Sequence, residues 1–308
     1  MSIRKLNFIV LFILAMIWSS TWVVIKIGLE TLPPFLSAGW RFLIAFSVLA
    51  VYGLFKGQFL FPRDMKTHLF FLFFGIINFF GGYSLVYWGE QYINSGLTSV
   101  LFSVMPFYVA LFSIKMLPSE RVTLRKIIGI TIGFGGIVLI FSEQLYLDHP
   151  MAVYGMIAVL ISPAFSGLGT IVGKKAGDRF HPVTLNILPL LYSSLVFFGA
   201  SLLLERGMEP QYSPLAIFSF CYLGILGTAV AFALYFWVLR NMSAVVVSLI
   251  TFVTPPMALV WGWIVLGESI SFKLVIGMVI IFSGIVVVRS ERPQFRWLFR
   301  KRQWQGEA

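Results

Sequence analysis

The chain has 308 residues, of which 59% are hydrophobic and only 11% are charged, and its formal net charge is +11. Because an ordinary soluble domain carries about 25% charged residues, this composition excludes a water-soluble protein and indicates that lipid surrounds most of the side chains. The one cysteine, Cys221, lies in an apolar segment and has no second cysteine with which to form a disulfide within the chain.

Ten apolar segments follow one another along the chain, and each is long enough to cross a membrane as a helix. A transmembrane helix needs about 20 apolar residues, whereas a transmembrane strand needs about 10. The segments run from about Leu6 to Leu29, Phe35 to Phe55, His68 to Gly89, Gly96 to Leu117, Leu124 to Phe141, Met151 to Val172, Leu185 to Leu204, Leu215 to Leu239, Ala244 to Leu266, and Phe272 to Val288. The first is too long for a signal peptide, so we expect it to be retained. The sequence therefore predicts an all-α membrane protein with ten transmembrane helices.

Basic residues are distributed unequally between the two sides that these helices define. Of the 23 lysines and arginines, only Arg206 and Lys273 fall in loops on the side opposite the N-terminus, while Lys26 and Arg41 lie within or beside the ends of segments on that side. This bias predicts a multi-pass inner-membrane protein with both termini in the cytoplasm. The basic segment 291–308 would then be a cytoplasmic tail that contacts anionic lipid and not nucleic acid.

The second half of the chain repeats the first at an offset of 148 or 149 residues. Residues that recur in kind include Lys26, Glu30 and Pro34 as Lys174, Asp178 and Pro182; Gly75, Trp88, Ser99 and Pro106 as Gly224, Trp237, Ser248 and Pro255; and Glu120, Gly129 and Gly136 as Glu268, Gly277 and Gly284. Each half holds five segments, an odd number, so the two copies would lie upside down relative to each other as an inverted repeat. We place the five-helix repeats at residues 1–145 and 146–290.

Several short motifs, in this order and duplicated, resemble the EamA-type members of the drug/metabolite transporter superfamily. They are Trp18-Ser-Ser-Thr-Trp22 followed by Lys26, the pair Arg41-Phe42, Pro106 and Pro255 in mid-segment, and Glu120 and Glu268 after the fourth and ninth segments. The resemblance covers nearly the whole chain. It implies a ten-helix inner-membrane exporter of amino acids, related metabolites or drugs, with a cavity between the two five-helix halves.

Uncharged polar and aromatic residues inside the segments are candidates for the solute path, because polar groups in lipid face the interior of a helix bundle. They are Trp18, Ser19 and Trp22 in the first segment, Asn78, Tyr83 and Tyr87 in the third, Ser99 in the fourth, Thr228 and Tyr235 in the eighth, and Ser248 in the ninth. Pro106 and Pro255 are candidate helix bends beside the cavity. Helix packing for the tryptophans, capping of backbone carbonyls for the hydroxyls, and an interfacial position for Tyr87 are the alternative interpretations.

Charged residues near the ends of segments allow two interpretations. Lys26 and Lys174 occupy equivalent positions at opposite membrane faces, each with an acid four residues on, which favours a structural role at a helix end.

Arg41 has Pro189 as its equivalent, so it is a candidate for recognising or gating a carboxylate; pairing with Glu30 or a loop carbonyl is the alternative. On the first interpretation, Arg41→Ala would reduce transport and leave folding intact. Glu90 also lacks an acidic equivalent, since Leu239 takes that place.

Catalytic and cofactor-dependent functions find little support in the sequence. The three histidines lie near loops, without the clustering of a metal or haem site, and no glycine-rich phosphate loop is present. All twelve acids fall in loops, tails or helix ends, so none stands in mid-membrane to carry protons. Coupling is then either absent or carried by a carboxylate at a helix end, such as Glu90. We therefore expect no cofactor and no metal, and we predict a transporter that exports small organic solutes by alternating access. A drug exporter and a membrane sensor or scaffold are the alternatives.

Overall fold

The computed structural model describes residues 3–59, 61–116, 124–144, 150–248 and 250–289, and every regular element in these ranges is a helix. We number the helices as follows: α1 Ile3–Leu29, α2 Pro34–Phe55, α3 Met65–Glu90, α4 Ser95–Met116, α5 Leu124–Gln144, α6 Ala152–Ala176, α7 Thr184–Leu204, α8 Pro214–Asn241, α9 in the pieces Ala244–Ser248, Ile250–Trp261 and Gly262–Leu266, and α10 Phe272–Arg289. The tail 291–308 and Glu120 lie outside the described residues.

Eight of these helices, α1 to α4 and α6 to α9, are long and apolar enough to cross a membrane. Helices α5 and α10 contain shorter apolar stretches, Thr131–Ile140 and Phe272–Gly284. The prediction of an all-helical, multi-pass membrane protein is thus confirmed, and eight of the ten predicted spans are found by length and composition.

The helices begin where the local sequence supplies caps. Pro34 opens α2 at a position where the missing amide hydrogen costs nothing. The Ser213 hydroxyl accepts a hydrogen bond from the amide of Ala216 (3.1 Å) at the start of α8. The Asp64 carboxylate accepts one from the amide of Thr67 (2.8 Å), which lowers the pKa of Asp64 and keeps it ionised at the start of α3.

Two helices become π-helical in their middle, and α9 does so over its last residues, Gly262–Leu266. Helix α3 is π-helical over Ile76–Gly81, and α8 is π-helical over Ile225–Val230. Such π-bulges are rare and are often found at functional sites. A glycine precedes the bulges in α3 and α8: a Cβ added to Gly75 would lie 2.6 Å from the carbonyl oxygen of Pro189, and one added to Gly224 would lie 2.8 Å from that of Arg41. The glycines therefore let α3 pack on α7 and α8 pack on α2 at backbone distance.

Helices α5 and α10 pack against each other through glycine. A Cβ added to Gly136 would lie 2.6 Å from the carbonyl oxygen of Gly277, and one added to Gly284 would meet the carbonyl oxygen of Gly129. Small residues permit this close approach, which gives van der Waals contact where lipid offers no hydrophobic driving force between helices.

The loops gather at two faces, which we name after residues at them. The Glu90 face holds loops 30–33, 91–94, 205–213 and 267–271; for example, the amide of Gln211 donates to the carbonyl of Thr31 at 3.0 Å. The Lys174 face holds loops 56–59, 61–64, 177–183 and 242–243, and there the Thr184 hydroxyl donates to the carbonyl of Gln58 at 2.6 Å.

One lysine at each face caps the end of a neighbouring helix. The Lys26 ammonium donates to the carbonyls of Glu90 (2.6 Å), Gln91 (3.3 Å) and Ile93 (2.9 Å) at the end of α3. The Lys174 ammonium donates to the carbonyls of Leu239 and, at 2.6 Å, Met242 at the end of α8. A cation at a helix C-terminus complements the helix dipole.

Carboxylates cap helix starts at the Glu90 face. Glu205 accepts from the amides of Phe35 (2.7 Å) and Leu36 (3.1 Å) at the start of α2. Glu268 accepts from the amide and hydroxyl of Ser95 (2.7 and 2.9 Å) and from the amide of Gly96 (3.1 Å) at the start of α4. Each carboxylate joins two segments that are distant in sequence, and each sits where the positive end of a helix dipole favours an anion.

Removing the Lys174 cap should destabilise the protein. In Lys174→Met the carbonyls of Leu239 and Met242 lose a half-buried charged donor, which we expect to cost about 1–3 kcal/mol. Lys175→Met is the matched control, because Lys175 is the next residue and is exposed. The measurement is the unfolding temperature of each purified variant in detergent. Equal losses in both variants would contradict a specific capping role for Lys174.

Candidate functional site

A cavity that is partly open to the outside lies in the middle of the helix bundle. Six helices line it: α1, α3 and α4 from the first half of the chain, and α6, α8 and α9 from the second. The lining residues are Trp18, Thr21, Trp22, Ile25, Asn78, Tyr83, Phe102, Met105, Ser166, Thr170, Phe232, Tyr235, Ile250, Thr251 and Thr254. None of them is Asp, Glu, Lys, Arg or His, so the described wall of the cavity carries no formal charge.

The first half of the chain supplies most of the aromatic wall. Trp18 packs against Tyr235 and Phe232, with ring centroids 5.3 and 5.6 Å apart, and Trp22 packs against Phe102 at 5.2 Å. These tilted pairs hold the rings in fixed orientations. The wall can therefore contact a flat apolar group or, through a ring face, a cation.

The second half supplies a wall of hydroxyl groups. Ser166 and Thr170 come from α6, and Thr251 and Thr254 come from α9. The Thr170 hydroxyl donates to the carbonyl of Ser166 (2.9 Å) and lies 2.9 Å from the hydroxyl of Tyr235. Thr251 and Thr254 each donate to a carbonyl of their own helix, at 2.8 and 3.3 Å. A hydroxyl that donates to the backbone still has lone pairs free to accept from a solute.

Two N–H donors of the lining residues have no acceptor within the described ranges. They are the indole Nε1 of Trp22 and the amide Nδ2 of Asn78, and both atoms are buried. Buried donors in proteins nearly always have a partner. Donors left unpaired beside a cavity are therefore positions at which a carboxylate or carbonyl oxygen of a solute could accept a hydrogen bond.

Arg41 lies behind this wall and not on it. It is fully buried (1% exposed), and its Nε donates to the Thr228 hydroxyl at 2.8 Å. Longer contacts join Nη1 to the Tyr87 hydroxyl (3.5 Å) and Nη2 to the carbonyl of Gly227 (3.4 Å). The guanidinium carbon lies 4.5 Å from the ring centroid of Tyr83, within cation–π range. Arg41 thus holds Tyr83, which lines the cavity.

The predicted site residues divide into three groups. Those on the cavity wall are Trp18, Trp22, Asn78, Tyr83 and Tyr235, and those around the guanidinium group are Arg41, Tyr87 and Thr228. Ser19, Ser99 and Ser248 are fully buried and do not line the cavity. The roles of all of them in transport stay predictions.

The two predicted bends differ in their backbone setting. Pro106 is the second residue of the helical piece Met105–Met116, after an interruption of α4 at Ser103 and Val104. Proline is tolerated at such a position because the amide hydrogen there has no partner within the helix. Pro255 and Pro256 instead lie inside the piece Ile250–Trp261, which stays helical around them.

Sequence reasoning did not select the hydroxyl wall of α6. Ser166 and Thr170 are exactly the positions 148 residues after Trp18 and Trp22. Applying the repeat offset to the two tryptophans would have found them, whereas residue type alone could not, because a serine or threonine in an apolar helix commonly bonds to its own backbone.

Comparison with known proteins gives consistent results over nearly the whole chain. The model of the EamA-like transporter family matches residues 6–142 and again residues 153–290. The "Uncharacterized transporter YoaV" of Bacillus subtilis is 27% identical over 271 residues, which are 88% of this chain and 92% of that protein. "Protein PagO" of Salmonella typhimurium is 28% identical, covering 94% and 95%.

Two further comparisons bear on location and fold. The "Uncharacterized inner membrane transporter YedA" of Escherichia coli K12 is 27% identical over 90% of this chain and 89% of that protein. A solved crystal structure superimposes with a TM-score of 0.68 over 92% of this chain and 96% of that chain. Its sequence is 18% identical, so this last likeness concerns the fold alone.

Proposed function

The chain belongs to the EamA-like transporter family and is a membrane transporter rather than an enzyme, and we propose that it exports small amphipathic organic solutes, such as amino acids or related metabolites, by alternating access. The proposed membrane is the inner membrane, which is also the location printed for the relative YedA. Export is the direction that the family resemblance implies.

The two unpaired donors of residues that line the cavity carry the proposal on the solute. Trp22 Nε1 and Asn78 Nδ2 would donate to the carboxylate or carbonyl of a solute, which satisfies both. An ammonium or hydroxyl group of the solute would donate to the hydroxyl oxygens of Ser166, Thr170 and the α9 threonines. An apolar side chain of the solute would contact the aromatic wall. The uncharged lining favours a solute without net charge, because the described wall has no charged side chain to pair with an excess charge on the solute.

Equivalent positions in the two halves line the cavity together, which supports an inverted repeat. Five pairs of lining residues are related by the sequence offset: Trp18 and Ser166, Trp22 and Thr170, Tyr83 and Phe232, Phe102 and Thr251, and Met105 and Thr254. A cavity on a two-fold axis in the membrane plane can open to either side by exchange of conformation between the two halves. Alternating access is therefore the mechanism we propose.

Contacts outside the cavity repeat in the same way. Gly75 with Pro189 corresponds to Gly224 with Arg41, and the π-helical segments begin at the equivalent residues Ile76 and Ile225. The pair Gly129–Gly284 maps onto the pair Gly277–Gly136 when the halves are exchanged, as in an isologous interface. This supports two five-helix units, residues 1–145 and 146–290, with α5 and α10 as the fifth and tenth spans.

The orientation follows from the loops at the two faces. Described basic residues in the loops and helix ends of the Lys174 face include Arg63, Lys66, Lys175, Arg179 and Arg240, whereas those of the Glu90 face are Lys26, Arg206 and Lys273. By the positive-inside bias, we propose that the Lys174 face is cytoplasmic, which places both termini in the cytoplasm.

Counterflow in proteoliposomes tests the proposed function. The purified protein is reconstituted without any ion gradient, vesicles are loaded with unlabelled phenylalanine, and entry of labelled phenylalanine is followed; serine, leucine and a hydrophobic cationic dye serve as parallel probes. We expect counterflow with at least one amino acid. Counterflow with the dye alone would instead support a drug exporter. Folded protein without counterflow of any probe would overturn the proposal and favour a sensor or scaffold.

Trp22→Phe isolates the contribution of the indole donor, because it keeps an aromatic ring and removes the N–H group. Loss of one hydrogen bond to the solute corresponds to about 0.5–1.5 kcal/mol, so we expect the half-saturating concentration in counterflow to rise about two- to tenfold. Trp263→Phe is the control, since Trp263 is 61% exposed on the outer surface. An unchanged half-saturating concentration in Trp22→Phe would show that the solute does not use this donor.

A further inference from the structure

Glu90 is a carboxyl group buried without a hydrogen-bond partner. It is the last residue of α3 and has 0% exposure. Both carboxylate oxygens are buried and have no hydrogen-bond donor in the part of the chain that the structure describes. The helix end itself does not require an acid, because the equivalent end of α8 carries Leu239 and its carbonyl is capped by Lys174 in the same way.

The nearest cation uses its hydrogens elsewhere. Lys26, on α1, donates to three backbone carbonyls, one of them the carbonyl of Glu90 itself. An ammonium group has three hydrogens. The charge of Lys26 acts on the Glu90 carboxyl group from nearby, yet no ammonium hydrogen remains to bond it.

The other charged groups around Glu90 are also engaged. Arg41, on α2, directs its guanidinium nitrogens to Thr228, Tyr87 and Gly227. Glu268, in the loop after α9, receives three bonds from Ser95 and Gly96 and adds a second negative charge near Glu90.

Neutral groups complete the surroundings. Tyr87, on the same helix one turn earlier, is fully buried and lies near the charged groups of both Glu90 and Arg41. Helix α6 packs at this level through Gly155 and the methyl groups of Val159, which would lie against a Cβ on Gly89. These groups offer the Glu90 carboxylate neither a hydrogen bond nor a compensating charge.

An ionised carboxylate buried without donors is strongly disfavoured, and such a group takes up a proton instead. We infer that Glu90 is a proton-binding site that couples solute movement to proton movement, with the carboxyl group protonated in the conformation described here and ionised when the opposite conformation admits water to it. The inference rests on the proposed function, because it assigns the coupling ion of the same transport cycle. The proton comes from water on one side of the membrane and is released to water on the other.

A chain of contacts links Glu90 to the cavity. Tyr87 lies three residues before Glu90 on α3 and contacts Arg41, whose guanidinium group lies over the ring of Tyr83 on the cavity wall. The carbonyl of Gly227 accepts from both Arg41 and the indole of Trp18. If a solute displaces Tyr83 or Trp18, the guanidinium group of Arg41 and the side chain of Tyr87 would therefore shift as well. The surroundings of Glu90 would change with them.

A pH gradient separates coupling from transport itself. In proteoliposomes with labelled phenylalanine, or another probe amino acid that shows counterflow, we expect an imposed pH gradient to drive wild-type accumulation against a solute gradient. Glu90→Gln should keep counterflow at equal pH and lose at least about 90% of the gradient-driven accumulation. Glu209→Gln is the control, because Glu209 is an exposed acid at the same face. Gradient-driven accumulation that survives in Glu90→Gln would overturn the inference.

Failure of the inference is distinguishable from failure of the proposed function. Wild-type counterflow without any pH-driven accumulation would remove proton coupling and leave the transporter intact, whereas absence of counterflow itself would count against the proposed function.

A second measurement needs neither a solute nor a folded variant. Infrared spectra of the wild type at neutral pH should contain the carbonyl stretch of a protonated carboxyl group, and its absence would overturn the inference. Where Glu90→Gln is recovered folded, the band should be missing from its spectrum and remain in that of Glu209→Gln.

Discussion

Replacing Gly136 with alanine should lower the unfolding temperature of the protein, although the change adds a single methyl group. That methyl group would lie 2.6 Å from the carbonyl oxygen of Gly277 and 3.0 Å from the amide nitrogen of Ile281. Both are backbone atoms, so relief requires α5 and α10 to move apart and to lose contacts along their length. Overpacking of this kind costs about 1–3 kcal/mol.

Gly135→Ala is the matched control, one residue away on the same helix. A Cβ at Gly135 would have no neighbouring atom within 4 Å, because that side of α5 faces outward. Alanine is favoured over glycine within a helix by about 0.5–1 kcal/mol, so Gly135→Ala should leave stability unchanged or raise it. Thermal unfolding in detergent, with size-exclusion chromatography to detect aggregation, measures both variants. Equal stability of the two would show that α5 and α10 do not pack through Gly136.

Arg41→Ala should reduce both stability and transport. The buried hydroxyls of Thr228 and Tyr87 would lose their donor, and each polar group left unsatisfied costs about 1–3 kcal/mol. The Gly227 carbonyl would lose one of its two side-chain donors and keep the indole of Trp18. The ring of Tyr83 would also lose the cation that lies over it. We expect counterflow to fall roughly tenfold, the factor that about 1.4 kcal/mol represents. The sequence alone suggested intact folding, because it could not show how many buried groups depend on Arg41.

Two controls separate position from charge. Arg206→Ala removes an exposed arginine that bonds only the Leu202 carbonyl among the described contacts, so it should change neither property. Arg41→Lys keeps the charge but cannot reproduce a planar group with donors in three directions, and we expect partial recovery of stability with little recovery of transport. Wild-type counterflow in folded Arg41→Ala would exclude a role in positioning Tyr83.

The helical architecture was predictable because lipid requires long apolar helices, and the segment His68 to Gly89 became Met65–Glu90 with ends shifted by three residues or fewer. The π-helical segments were not predictable. One extra residue in a hydrogen-bond ladder changes the pattern without changing the apolar composition, and the glycines beside the segments, Gly75 and Gly224, have many other uses.

At the candidate site, residue type predicted the aromatic wall but not what lies behind it. Trp18, Trp22 and Tyr83 are large and partly polar, so their place near a cavity could be inferred from composition and depth. The place of Arg41 depends on helix rotation, which sequence does not specify, and the structure puts its guanidinium group behind Tyr83. Glu90 was recognised as an acid at a helix end, but its full burial depends on how α1, α2 and α6 pack around it.

The unequal walls of the cavity have a consequence for the two halves of the chain. On the proposed repeat, the first unit gives Trp18 and Trp22 where the second gives Ser166 and Thr170. Two identical copies of the first unit would fill the centre with four indole rings, and two copies of the second would leave it lined by hydroxyls on both sides. Neither unit paired with itself would rebuild the present cavity, so on this repeat the cavity depends on the differences in sequence between the two halves.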